Sequence, residues 1–155
     1  MDNKRKELKV SAIRNGTVID HIPASKSFQV MNILNLGKST NQIYFGTGLH
    51  SEKFGKKGII KISDKYFADE EISKIALVAP SATLIEIKDY EVTKKGKVHF
   101  PETVDKIVKC FNPKCVTNIQ EVPTKFTVVT DHKGEIKLAC HYCEKTMLKE
   151  NIDFL

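Results

Sequence analysis

No cysteine occurs in the first 109 residues of this 155-residue chain, and no apolar run approaches the roughly 20 residues that a membrane span needs. The second absence excludes a helical membrane anchor. The first divides the chain, because all four cysteines crowd into the last 46 residues. The opening segment, Met1-Asp2-Asn3-Lys4-Arg5-Lys6-Glu7, has no apolar stretch behind it. That argues against export, hence against disulfides, and for the reducing cytoplasm. Catalytic constellations are missing as well. There is no His-Glu-x2-His, no paired carboxylates on a recognisable scaffold, no Cys-His pair outside the C-terminal segment, and no nucleophile elbow. Internal repeats, heptads and low-complexity tracts are also absent. An enzyme in its own right is therefore not expected.

What is present begins with the cysteines: Cys110-x4-Cys115, then 24 residues, then Cys140-x2-Cys143. Two close pairs joined by a longer loop are the spacing of a structural four-cysteine zinc site, at one ion per chain. A catalytic zinc keeps one position open for water, and four thiolates fill the shell. His141 sits inside the second pair and could replace a thiolate, but a full set already exists. A segment this short cannot build a generous core, so a metal has an obvious stabilising role. The expected organisation is a domain over 1–100 and a zinc domain over 101–155, with Phe100-Pro101-Glu102 as linker. The formal charge of +6 falls to about +4 once four thiolates and one Zn²⁺ are counted. That mild basicity suits phosphate-bearing ligands or an acidic protein surface.

Hydrophobic periodicity gives the elements. Leu8–Ile13 and Thr17–Ile22 read as strands around the tight-turn dipeptide Asn15-Gly16. Ser25 is placed to cap a helix carrying Phe28, Val30, Met31, Ile33 and Leu34 toward a core, with Gly37 as its stop. Gln42–Leu49 and Gly58–Ile62 read as strands flanking a polar loop over Lys53–Gly58. Asp69 is placed to cap a second helix with Ile72, Ile75, Ala76 and Ala79, ended by Pro80. Thr83–Ile87 and the lysine-rich Tyr90–Val98 complete the first domain. The zinc segment shows strands at Lys106–Lys109, Phe126–Thr130 and Glu135–Ala139, the last two joined by the turn Asp131–Gly134. The order β-β-α-β-β-α-β predicts an α+β class: an antiparallel-rich sheet with two helices on one face, followed by a small zinc-bound all-β domain. Gly37-Lys38-Ser39-Thr40 lacks the upstream glycine of a P-loop and follows a helix, so it reads as a helix end and turn.

Asp20-His21, Lys61 and Lys94-Lys95 are the polar residues of interest in the first domain. A cation beside a carboxylate and a histidine can hold ribose and phosphate oxygens. An alternating strand, however, normally exposes a lysine such as Lys61.

Three stretches carry a family resemblance: Gly16-Thr17-Val18-Ile19-Asp20-His21-Ile22-Pro23; Leu77-Val78-Ala79-Pro80 with Thr83, Ile87 and Tyr90-Glu91-Val92; and Cys110-x4-Cys115 with Cys140-x-Tyr142-Cys143-Glu144. In this order they resemble the regulatory chain of aspartate carbamoyltransferase over nearly the whole length. The resemblance implies a pyrimidine-pathway regulatory subunit. Its N-terminal domain would bind CTP and ATP and pair with a second regulatory chain; its zinc domain would dock on the catalytic chain. It implies that Ser11, Ala12, Ile13 and Tyr90 lie along the nucleobase and that Asp20 and Lys61 hold the ribose. His21 and Lys95 would face the phosphates, with Val18 and Val92 lining the pocket. Lys94 takes the role of Lys95 if the register slips by one. Two positions depart from the pattern: Ser11 stands where some members carry an acid, and Ile85 where some carry an amide. The alternatives are a zinc ribbon that binds nucleic acid and a free-standing nucleotide sensor. The zinc segment has no arginine and no basic stripe with interleaved aromatics, which disfavours nucleic acid.

Overall fold

A computed structural model describes residues 12–52 and 55–155. The strand expected over Leu8–Ile13 falls almost wholly outside these residues, as does Ser11. The chain divides into two compact units, 1–99 and 100–155. No helix among the described residues is long and apolar enough to cross a membrane.

Among the described residues the first unit is built on five strands: β1 (Gly16–Pro23), β2 (Ile43–Ser51), β3 (Gly55–Ser63), β4 (Thr83–Lys88) and β5 (Glu91–Lys97). They lie in the order β2-β3-β1-β4-β5, and every pairing is antiparallel. Because side chains alternate across a strand, the register sorts them onto two faces. Thr17, Ile19, Ile60 and Ile62 are fully buried on one face, with Leu84 beside them. Helix α1 (Ser27–Ile33) meets this face, where a Cβ on Gly58 would run into the Ser27 hydroxyl. Helix α2 (Asp69–Val78) packs on α1 and buries Ile75, Ala76, Leu77 and Val78. The opposite face carries Lys57, Lys61, Val18, Thr83, Ile85 and Lys95.

Several local expectations are corrected. Ser25 does not cap α1. It lies in a 3-10 turn, Ala24–Lys26, that feeds the helix directly. Phe28 does not reach the core. It is 65% exposed and meets Phe45 edge-to-face at 5.1 Å, while Val30 and Leu34 carry the burial. Helical spacing gave a stripe wider than the sheet can cover. The stop is Asn35 in the left-handed region (φ 53°), two residues before Gly37, which sits in a further 3-10 turn, Leu36–Lys38. The N-cap of α2 is Ala68, and Asp69 is the first helical residue. The Glu71 carboxylate accepts the Ala68 N–H at 3.2 Å, which does the work expected of an Asp cap. Of the expected 53–58 loop, residues 55–58 are strand, paired with β2 out to Ser51. Pro80 follows α2 closely, as its missing N–H requires.

The second unit has a four-stranded antiparallel sheet in the order β10-β9-β8-β6, and a two-stranded one, β11-β7. Its strands are β6 (Thr103–Asp105), β7 (Val108–Lys109), β8 (Lys125–Thr130), β9 (Ile136–Cys140), β10 (Thr146–Leu148) and β11 (Asp153–Phe154), with a single helical turn, α3 (Val116–Ile119). The single strand expected over Lys106–Lys109 is broken by Lys106 at φ 64°, which sends β6 and β7 to different sheets. The 131–134 turn forms. The Asp131 carboxylate accepts the N–H groups of Lys133 and Glu135, both at 2.9 Å, and Gly134 takes φ 80°. The core is small: Val104, Val108, Phe126, Leu138 and Met147.

Candidate binding face and metal centre

The cysteines sit on two turns. Cys110 follows β7 and Cys115 opens α3; Cys140 ends β9 and Cys143 lies in the turn to β10. The first turn is closed by Cys115 N–H to Asn112 O at 3.0 Å, and the second by Glu144 N–H to Cys140 O at 3.0 Å. Asn118 Nδ2 donates to the carbonyls of Cys110 and Asn112, both at 2.8 Å, which pins the first turn to α3. The four sulfurs lie within 4.8 Å of one another, and Cys110–Cys143 and Cys115–Cys140 are each 3.7 Å apart. A tetrahedron with Zn–S bonds of about 2.3 Å has edges of about 3.8 Å. The cage therefore fits zinc with little adjustment. His141 is outside it: its ring packs edge-to-face on Tyr142 at 5.1 Å.

The thiols titrate unequally. Burial, outweighing a hydrogen bond from the Asn112 backbone, pushes Cys110 up to about 12. Burial also raises Cys115, but the Thr117 hydroxyl (3.2 Å) and backbone N–H bring it down to about 7. Cys140 is raised by burial; Cys143 is lowered by the backbone of Lys145 against burial. Four adjacent sulfurs cannot all ionise without a central cation. Zn²⁺ supplies that charge, and the ion here is structural.

The second candidate site lies on the face of the first unit's sheet opposite α1. Its centre is a bulge in β1 between Ile19 and Ile22, where the extra residue re-aims its neighbours. His21 takes φ 57°, and three hydrogen bonds hold the bulge. His21 N–H donates to Asp20 Oδ1 (2.6 Å), Ser81 Oγ donates to His21 O (3.1 Å), and His21 Nδ1 meets Thr83 Oγ1 at 3.0 Å. Lys61 pairs with Val18 across β1–β3, Val18 with Ile85, and Ile85 with Lys95, so these four form one cross-sheet row. Burial pushes the Lys61 ammonium down from its ordinary pKa, and the Asp20 charge offsets part of that. A bulge in β5 at Thr93 brings Val92 opposite Ile87, onto the same face as the row; Lys94 pairs with Glu86 on the other face. The register thus puts Lys95, and not Lys94, in the same cross-sheet row and on the same face as Val18 and Lys61.

The nucleobase candidates gather at one end of this face. Ala12, Ile13 and Tyr90 line a cavity of about 450 Å³ together with Arg14, Gln42 and Tyr44. Tyr90 is held at φ 66° in the β4–β5 turn, and its N–H donates to Arg14 O at 2.9 Å. Two neighbours escaped the sequence reading. Tyr44 stands opposite Lys61 in β2, and the Lys57 ammonium meets Asp20 Oδ1 at 2.8 Å. Reading 53–58 as loop hid the signal for Lys57: in a strand, 57 and 61 share a face.

A metal-stabilised β unit joined to an antiparallel α+β unit, one face of which sets cations around a carboxylate, is the plan of a binding protein. Comparison with known proteins makes it particular. Residues 8–99 match the family "Aspartate carbamoyltransferase regulatory chain, allosteric domain", and residues 102–153 match "Aspartate carbamoyltransferase regulatory chain, metal binding domain". A protein of Phocaeicola vulgatus named aspartate carbamoyltransferase regulatory chain is 48% identical, covering 100% of this chain and 99% of its own. One of the same name from Pyrococcus horikoshii is 49% identical over 94% of this chain and 96% of its own. The chain belongs to the aspartate carbamoyltransferase regulatory chain family.

Proposed function

We propose that this chain is the non-catalytic, cytoplasmic regulatory subunit of aspartate carbamoyltransferase, which binds CTP and ATP competitively in its first unit and docks on catalytic chains through its zinc unit. The observation that carries the nucleotide reading is the common face of Asp20, Lys61, Val18, Val92 and Lys95 beside the Ala12–Ile13–Tyr90 cavity. Its cations suit a triphosphate, its carboxylate suits sugar hydroxyls, and Tyr90 (69% exposed) offers a ring to a base. Phe111, Ile119 and Tyr142 are exposed around the metal turns and suit a protein partner. Among the described residues β2 is a sheet edge, and with the exposed Phe28 it supplies a surface for a second regulatory chain.

The mechanism is linkage. A nucleotide bound more tightly by one quaternary state shifts the population toward it by no more than its differential affinity, typically about 1–3 kcal/mol. The chain's residues bind and orient; the catalytic chain does the chemistry. The test is calorimetric titration of CTP and ATP into the zinc-loaded chain, alone and assembled with catalytic trimers. Competition at one site and a change in the assembly's aspartate saturation are expected. Absence of heat and competition at millimolar nucleotide would leave the chain a structural role only.

A further inference from the structure

We infer that Lys57 is a positioning residue that aims Asp20 at a ligand's sugar hydroxyl; this rests on the nucleotide reading of the same face. The bulge sets Asp20 next to His21 and opposite Thr83, within electrostatic reach of Lys61. The Lys57 ammonium lies 2.8 Å from Asp20 Oδ1, and the two side chains are only 20% and 17% exposed. The same Oδ1 accepts the His21 N–H at 2.6 Å. Both partners therefore load one oxygen. With Oδ1 held by two donors, Oδ2 carries no hydrogen bond among the described residues and is the acceptor left for a ligand. Lys57 and Lys61 share a face of β3, yet their tasks differ. Lys57 is committed to Asp20 by a short charge-assisted bond, while Lys61 stands in the Val18–Ile85–Lys95 row.

A fixed acceptor reads a hydroxyl by its presence. Hydrogen bonds to charged groups correspond to about 10–150-fold in affinity, so the chain should prefer CTP to 2′- or 3′-deoxy-CTP by at least about tenfold. Full-length, zinc-loaded wild type, Lys57→Met and Lys57→Arg are titrated with CTP, both deoxy analogues and inorganic tripolyphosphate, after zinc content and melting confirm folding. Lys57→Met should lose the ribose preference to within about twofold while still binding tripolyphosphate; Lys57→Arg should restore the preference. An unchanged ribose preference in Lys57→Met overturns the inference. So does parallel loss of tripolyphosphate binding, which would mark Lys57 as merely structural. Wild type that binds CTP without ribose preference removes the positioning role and leaves the nucleotide site standing. Wild type that binds no nucleotide removes both.

Discussion

At the scale of single residues, Lys61 shows how the fold sets a side chain's chemistry. Its ammonium is partly withdrawn from water, so its pKa in the fold lies below the unfolded value. The sign follows: the fold disfavours the charged form, so stability is reduced below the folded pKa and is recovered as pH rises toward the unfolded one. An anion bound beside Lys61 favours the charge and raises the pKa again. Nucleotide binding should therefore take up protons on the alkaline side, and weaken as pH rises through the lowered Lys61 pKa. Calorimetry at fixed pH in two buffers of different ionisation heat measures the uptake, and Lys61→Ala should abolish it while weakening binding roughly 10–150-fold. The sequence showed Lys61 because it interrupts the apolar run Ile59-Ile60-Ile62. It could not show Lys57 or the bulge. A one-residue insertion in a ladder is a property of two strands, and Asp20-His21 looks like ordinary alternation until β3 is laid beside it.

At the scale of elements, periodicity located the strands well and their ends poorly. The boundaries moved where a side chain or a left-handed residue replaced the expected signal: Glu71 at Ala68, Asn35 before Gly37, Lys106 between β6 and β7. The close contact of α1 with the sheet was likewise invisible, since Gly58 reads as loop punctuation. In the structure Gly58 is the gap that Ser27 fills, so Gly58→Val must push α1 away. It should lower the melting temperature of the first unit, at a cost of about 1–3 kcal/mol for overpacking, and leave zinc content unchanged. In the second unit Phe126 is fully buried in β8, between β6 and β9. Phe126→Ala should cost about 3–5 kcal/mol, enough to loosen a core this small, and its denaturation midpoint relative to wild type measures the loss.

At the scale of the whole molecule, the metal separates the two units' fates. Among the described residues the first unit has a five-stranded sheet with a fully buried isoleucine core; the second closes on a handful of apolar side chains and four thiolates. Binding free energy for a structural zinc is folding free energy, because the unfolded chain has no preformed cage. Cys140 is the strictest test. It ends β9, its N–H is held by Lys145 O at 2.9 Å, and its sulfur lies 3.7 Å from that of Cys115. Cys140→Ser removes one ligand and leaves three thiols competing for protons. It should abolish the single zinc, unfold residues 100–155, and stop assembly with catalytic trimers. The first unit should keep its strand signals and its nucleotide heats. Acid should act in the same direction, since ligand thiolates must be deprotonated to hold the ion, and zinc should leave as pH falls. Metal analysis, amide exchange resolved by unit and sedimentation with catalytic trimers read the three effects together. A zinc-free chain that still assembles normally would show that the cage does not organise the docking surface.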